Sequence, residues 1–273
     1  MTMPKLAKLI SFDGEARSGK GTVVRATKES LIKSGYNVML IDAGQVFRVL
    51  VLAVINAGIS IDDSDTIDDF LADKKSLDSC VQLVKDVYHM PKHDRELLLY
   101  TNEVGENSAK IGARPLSQIF KDKLLKKWLN DATKEGVDVV LLDGRAGKEV
   151  GQMLEDLKLC KFIAGLYFVC DPIIGAKRTL NYATIAHSDL NKIQRAEVDS
   201  LVQQIIARNL SDRNRVVQAV IPPDGAPIFI LPYVGDLIKT NGPAMATIDT
   251  SANMNKSEMT LPVVNLIEKI LKA

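Results

Sequence analysis

The ten residues Asp13-Gly14-Glu15-Ala16-Arg17-Ser18-Gly19-Lys20-Gly21-Thr22 constrain this chain more than any other stretch. Gly14, four intervening residues, Gly19 and Lys20 have the spacing of a phosphate-binding loop, in which glycines let backbone N–H groups converge on phosphate oxygens that a Cβ would obstruct. The loop requires a strand before it and a helix after it, and both are present. Leu9-Ile10-Ser11-Phe12 is an apolar run suited to a central strand, and residues 20–34 carry a helical pattern closed by Gly35. A helix N-terminus adds orphan N–H groups and a favourable dipole for an anion. Lys20 supplies a point charge for the outer phosphates. Gly21 follows that lysine, and Thr22 is the first hydroxyl.

A chain of 273 residues is long enough for one large α/β core with inserted segments. Charged residues make up 25% and the formal net charge is +1, so bulk electrostatics give no reason to expect a nucleic-acid polymer or a membrane as partner. Cys80, Cys160 and Cys170 lack metal-ligand spacing and read as buried thiols of a reducing compartment. Met1 to Lys8 is too short and too charged for a signal, and no apolar run reaches membrane-spanning length, so a cytoplasmic protein is expected.

Further apolar runs follow the first, several of them ending in a residue with chemistry. Asn37 to Ile41 leads to Asp42, and Val137 to Leu142 leads to Asp143-Gly144-Arg145. Phe162 to Cys170 leads to Asp171-Pro172, and Ile228 to Leu231 and Thr247 to Thr250 complete the set. Carboxylates after buried parallel strands line the C-terminal sheet edge, where ligands bind in open α/β sheets. A helix from about Gln45 to Ala57 carries Arg48 in its first turn. Residues 62–104 read as an inserted subdomain, its acidic run Asp62, Asp63, Asp65, Asp68 and Asp69 a solvated face with helix-capping character. His89 and His93 are separated by Pro91, which breaks the helix a zinc pair would need. A helix over 115–131, opened by Pro115, carries Trp128 as a core anchor. Helical stretches at 173–183 and 192–209 have the form of a lid over about 177–207, with Lys177 and Arg178 at its start and Arg208, Asp212, Arg213 and Arg215 after it.

Four blocks together resemble the cytidylate kinase family of P-loop nucleoside monophosphate kinases. The family shows D-G-x-x-x-x-G-K-G-T, matched by Asp13 to Thr22, and D-S-G-x-x-Y-R, similar to Asp42-Ala43-Gly44-Gln45-Val46-Phe47-Arg48. It also shows D-G-R-D, similar to Asp143-Gly144-Arg145-Ala146, and R-D-x-x-D-R-N-R, similar to Arg208 to Arg215; a weaker T-x-E-V match falls at Thr101 to Val104. Order and spacing agree over about residues 7–220.

The resemblance implies an α/β P-loop fold with a five-stranded parallel sheet flanked by helices. The kinase core would comprise 1–61 and 105–273, and 62–104 would bind the monophosphate. It implies phosphoryl transfer from ATP, with Mg2+, to a nucleoside monophosphate, CMP or dCMP first, in a monomer. Gly14, Glu15, Ala16, Arg17, Ser18, Gly19, Lys20, Gly21 and Thr22 would hold ATP, with Thr22 and, through water, Asp143 at the metal. Asp42, Arg48, Arg145, Arg208 and Asp212 would bind the acceptor. Lys20, Arg145, Arg178 and Arg215 would neutralise the transferring group, whose charge spreads in the transition state. Four departures bear on specificity: Ala146 stands where the family has an aspartate that reads the cytosine edge, Ala43 replaces a serine, Phe47 a tyrosine and Arg17 a loop glycine. Relaxed or shifted base choice is therefore expected. The segment 231–246 has no counterpart in the resemblance. Two other readings keep the loop: a P-loop kinase with a non-nucleotide acceptor, and a nucleotide-binding sensor without turnover.

Overall fold

The structure, a computed structural model, describes residues 5–215, 218–237 and 242–272. In chain order the first elements are β1 (Lys8–Gly14), α1 (Lys20–Lys33), β2 (Val38–Asp42), α2 (Ala43–Asn56), α3 (Ser64–Ala72) and α4 (Lys74–His89). Then come α5 (Lys92–Leu99), α6 (Asn102–Gly112), α7 (Pro115–Lys134), β3 (Val139–Asp143) and α8 (Gly147–Asp156). The last are β4 (Lys161–Val169), α9 (Pro172–Thr179), α10 (Lys192–Arg213), β5 (Ile228–Ile230), β6 (Ala244–Asp249) and α11 (Lys256–Lys272). The chain divides into a sheet unit, Met1–Ile41 with Leu129–Ala273, and a helical unit, Asp42–Trp128.

In the sheet unit the strands lie in the order β2-β3-β1-β4-β6-β5. β1 runs parallel to both β3 and β4, and β6 runs parallel to β4 and β5. Alternation along the strands sorts the two faces. Ile10, Phe12, Leu166, Phe168, Ala246 and Ile248 turn to one side and meet Val23, Val24 and Leu31 of α1 and Val263, Ile267 and Leu271 of α11. Phe12 and Phe168 are fully buried, each worth about 2–3 kcal/mol relative to exposure. The other face is built for close approach. A Cβ on Gly147 would lie 2.9 Å from Ser11 Oγ, and one on Gly151 would lie 2.8 Å from the Phe162 ring, so these two glycines seat α8 directly on β1 and β4.

The sheet has six strands, which corrects the five that the family resemblance implies. The run at Ile228 pairs in parallel with β6, in register Ile228 with Thr247 and Ile230 with Asp249, and so adds an outer strand. Of the segment 231–246, residues 238–241 lie outside the described residues, and Ala244–Ala246 belong to β6. α10 continues to Arg213 rather than ending at 209, which puts Arg208, Asp212 and Arg213 on its last turns.

The helical unit is wider than the 62–104 insert, because α2 and α6 bury the same apolar cluster as α3 and α4. Val46, Val49, Leu50 and Val54 of α2 join Ile67, Leu71, Val84, Val87, Val104 and Ile111. Trp128 packs at its margin, with its ring 5.2 Å from that of Tyr88. The acidic run is spent on caps and surface pairs. Asp63 caps α3 through the Thr66 amide, Asp68 pairs with Arg114 at 2.6 Å, and Asp62 pairs with Lys110 at 2.7 Å. Among the described residues, no helix is long and apolar enough to cross a membrane.

Candidate active site

β1 delivers its chain straight into the phosphate loop. Gly14 has φ +140°, and a Cβ there would sit 2.2 Å from the Phe168 carbonyl oxygen of β4, so only glycine passes. Glu15 N donates to that same carbonyl at 2.8 Å and Ala16 N donates to the Asn209 side chain at 2.8 Å. Thr250, fully buried after β6, donates through Oγ1 to Ser18 O at 2.9 Å. The amides of Arg17, Ser18, Gly19, Lys20 and Gly21 have no backbone acceptor among the described residues. Five consecutive N–H groups at the start of α1 are what an anion needs. Arg17, exposed and in the left-handed region at φ +59°, occupies a conformation that costs a non-glycine residue about 1 kcal/mol.

Asp13 fastens the loop from beneath. Its two oxygens accept from Gly14 N at 2.7 Å and from Gly147 N at 3.0 Å, tying β1 to the start of α8. Burial raises its carboxyl above the ordinary value, opposed by the charges of Arg145 and Lys20 and by the two amides. Lys20 reaches across to the end of β3, where Nζ is ion-paired with Asp143 Oδ1 and lies 3.3 Å from Gly144 O.

Arg145 follows Asp143 and links two parts of the site. One guanidinium nitrogen donates to Gly14 O and another lies 3.1 Å from Asp212 Oδ2. Asp212 is buried at the end of α10 and gathers two more cations, Arg215 at 2.6 Å from Oδ1 and Arg208 at 3.9 Å from Oδ2. Beside this cluster Arg213 is ion-paired with Glu15 of the loop. The sheet unit thus brings together Lys20, Asp143, Arg145, Arg208, Asp212 and Arg215. Arg178 goes elsewhere: it donates to Ala252 O at 2.6 Å and lies 3.8 Å from Cys170 Sγ. Thr22 lies in the first turn of α1, part-buried.

In the helical unit Asp42 caps α2 through the Gln45 amide at 3.1 Å and takes a hydrogen bond from Tyr100 at 3.3 Å. Capping explains why α2 begins at Ala43, two residues before the Gln45 start read from the sequence, and why Arg48 lies in its second turn. The Arg48 guanidinium donates to Leu99 O at 2.7 Å and sits 4.5 Å from the centre of the Tyr100 ring. Burial and the Asp42 charge push the Tyr100 phenol up to about 12, so it stays a donor at neutral pH. Phe47 closes against Gly112, where a Cβ would lie 3.3 Å from the ring. Ala146 is buried in the left-handed region at φ +53° and offers α8 no side-chain cap.

Two contributors and one pairing carry no signal in the sequence. Asn209 and Thr250 hold the loop from 193 and 232 residues away, and no local pattern signals contacts of that range. Arg213 belongs to the basic cluster after the lid, but no local pattern links it to its partner Glu15.

A parallel sheet whose first strand opens into a phosphate loop, with Arg145 after β3 joined at Asp212 by Arg208 and Arg215, is the framework of a P-loop phosphotransferase. The cytidylate kinase family model matches residues 10–231, and the chain belongs to that family. It is similar to the cytidylate kinase of Shewanella oneidensis, at 24% identity over 82% of this chain and 87% of that one. It is also similar to that of Shewanella pealeana, at 25% identity over 83% and 89%. The chain is therefore an ATP-dependent phosphotransferase of nucleoside monophosphates that works with a divalent ion. The readings as a kinase of non-nucleotide acceptors or as a sensor without turnover are not favoured.

Proposed function

We infer that the acceptor is CMP or dCMP, used with relaxed base choice, and that the ion is Mg2+. The observation that carries this reading is the sharing of Arg145 between the loop carbonyl of Gly14 and the buried Asp212 cluster, which sets donor and acceptor charges side by side. Lys20 and the amides of residues 17–21 hold the donor phosphates. Arg145, Arg208 and Asp212 take the acceptor's phosphate and sugar, and within the helical unit Arg48 and Asp42 are assigned to acceptor binding. Arg215 neutralises the transferring group; Arg178 does so after leaving the Ala252 carbonyl. Phosphoryl transfer asks little covalent chemistry of the protein, and positioning two polyanions with their charge neutralised supplies most of the rate.

The residues present fit a hard divalent ion. Asp143 has one oxygen on Lys20 and no hydrogen bond to the other among the described residues, and Thr22 adds a hydroxyl. Asp143 and Thr22 would hold such an ion, which would supply charge neutralisation for the phosphates in transfer. Ala146 presents only a methyl group, so this position offers no acceptor for the exocyclic amino group of cytosine, and discrimination among bases falls accordingly.

The test is coupled ADP release with CMP, dCMP, UMP, AMP and GMP offered singly. CMP and dCMP are expected to lead with UMP within about a hundredfold, and Lys20→Ala is expected to lower turnover about 10²–10³-fold, the scale for removing one stabilising donor. Ala146→Asp should sharpen the preference for CMP. Absence of ADP release with all five substrates would overturn the reading, and strict CMP use by the wild type would overturn the relaxed base choice.

A further inference from the structure

The last two turns of α10 carry two neighbouring stripes of functional side chains. Arg208 and Asp212, four residues apart, lie on one and form the cluster with Arg145 and Arg215. Asn209 and Arg213, also four apart, lie on the next and turn to the phosphate loop. The outcome is that three consecutive loop residues are fastened to this helix. Ala16 N is held by Asn209 Oδ1 at 2.8 Å, Glu15 by Arg213, and Gly14 O by Arg145, which itself leans on Asp212. These three residues lead directly into the open amides of 17–21, so their placement sets where those amides point.

We propose that Asn209 and Arg213 are positioning residues through which occupancy of the Asp212 cluster and occupancy of the phosphate loop are coupled. One turn of helix moves as a unit. A monophosphate that pulls on Arg208 and Asp212 therefore carries Asn209 and Arg213 with it, and the loop follows through Ala16 and Glu15. The coupling is reciprocal: a donor nucleotide that fixes the loop fixes the cluster for the acceptor by the same factor. Asn209 suits the task because its amide oxygen accepts from Ala16 N without adding a negative charge beside the donor phosphates. The inference rests on the reading of Arg145, Arg208 and Asp212 as the acceptor-phosphate cluster.

Titration calorimetry of the full chain decides it, with ADP as donor probe and CMP as acceptor probe, each titrated alone and against saturating amounts of the other. In the wild type CMP should tighten ADP binding about tenfold, within the usual range of such couplings. Asn209→Ala should reduce that factor to below about twofold and raise KM for ATP with kcat little changed. Asn209→Asp keeps an acceptor oxygen on Ala16 N and should keep the coupling factor near the wild-type value while its added charge weakens ADP binding itself, a split that a merely structural role would not give. Arg213→Ala repeats the test independently should Asn209→Ala fail to fold. Coupling that survives in the alanine variants, or a wild type that binds both ligands without coupling, overturns the proposal. Failure of CMP to bind at all instead removes the acceptor assignment beneath it, an outcome separable from uncoupled binding of both.

Discussion

The two units hold their functional arginines by different means. In the sheet unit Arg145 follows a five-residue buried strand, and its place is set by backbone register and by a buried carboxylate, Asp212, that three guanidinium groups share. In the helical unit Arg48 projects from the second turn of α2, and its direction is set by the Leu99 carbonyl and the Tyr100 ring, 51 and 52 residues further on. A strand end is a rigid mount, so removing a node there unsettles fold and chemistry together. A side chain steadied by a carbonyl and a ring is a separable part.

Removing Asp212 is the largest break. Asp212→Ala strands three cations at a site where the carboxylate was buried, and loss of one partner from a buried ion cluster costs about 3–5 kcal/mol. Urea unfolding should show that loss along with the loss of activity; unchanged stability would erase the contrast between the units. Arg48→Ala should do the opposite. Losing a charged hydrogen-bond donor is worth about 1.5–3 kcal/mol, which appears as a tens- to hundredfold rise in KM for the acceptor with the unfolding midpoint within a degree or two. A matching drop in stability would make Arg48 a folding residue.

The smallest effect sharpens the view of the sheet unit. Burial raises the Asp13 carboxyl in the folded chain, so the folded state keeps this proton to higher pH than the unfolded state does. The stabilisation from protonation is full below the unfolded value of 3.8 and is lost as pH rises through the raised folded value. In Asp13→Asn that dependence disappears. The melting temperature of wild type minus variant should therefore grow as pH falls from neutral towards 4, and a difference that stays flat would show that Asp13 does not titrate in this way.

Much of the sheet unit could be read directly. Uninterrupted apolar runs mark buried parallel strands, and Gly14 to Thr22 and Asp143 to Arg145 each sit where such a run ends. The helical unit was harder. Asp42 stands at the end of β2, where the apolar run puts it, but its second task of capping α2 could not be read, because a capping aspartate and a strand-end aspartate look alike after an apolar run. The pairing of Arg48 with Tyr100 depends on how α2, α5 and α6 pack, which helical periodicity does not encode. The departures at Arg17 and Ala146 were visible as residue changes, but their left-handed backbone was not, since neither residue favours it.

The outer strand also governs how the molecule meets its own kind in a crowded solution. β5 is three residues long and is bracketed by Pro227 and Pro232, neither of which has an N–H to offer a further strand. It covers the outer edge of β6, a longer and better template, with an edge too short and too poor in donors to extend. Although Ile228 and Ile230 are exposed, this edge of the sheet presents only a three-residue strand between two prolines, a poor template for a neighbouring chain.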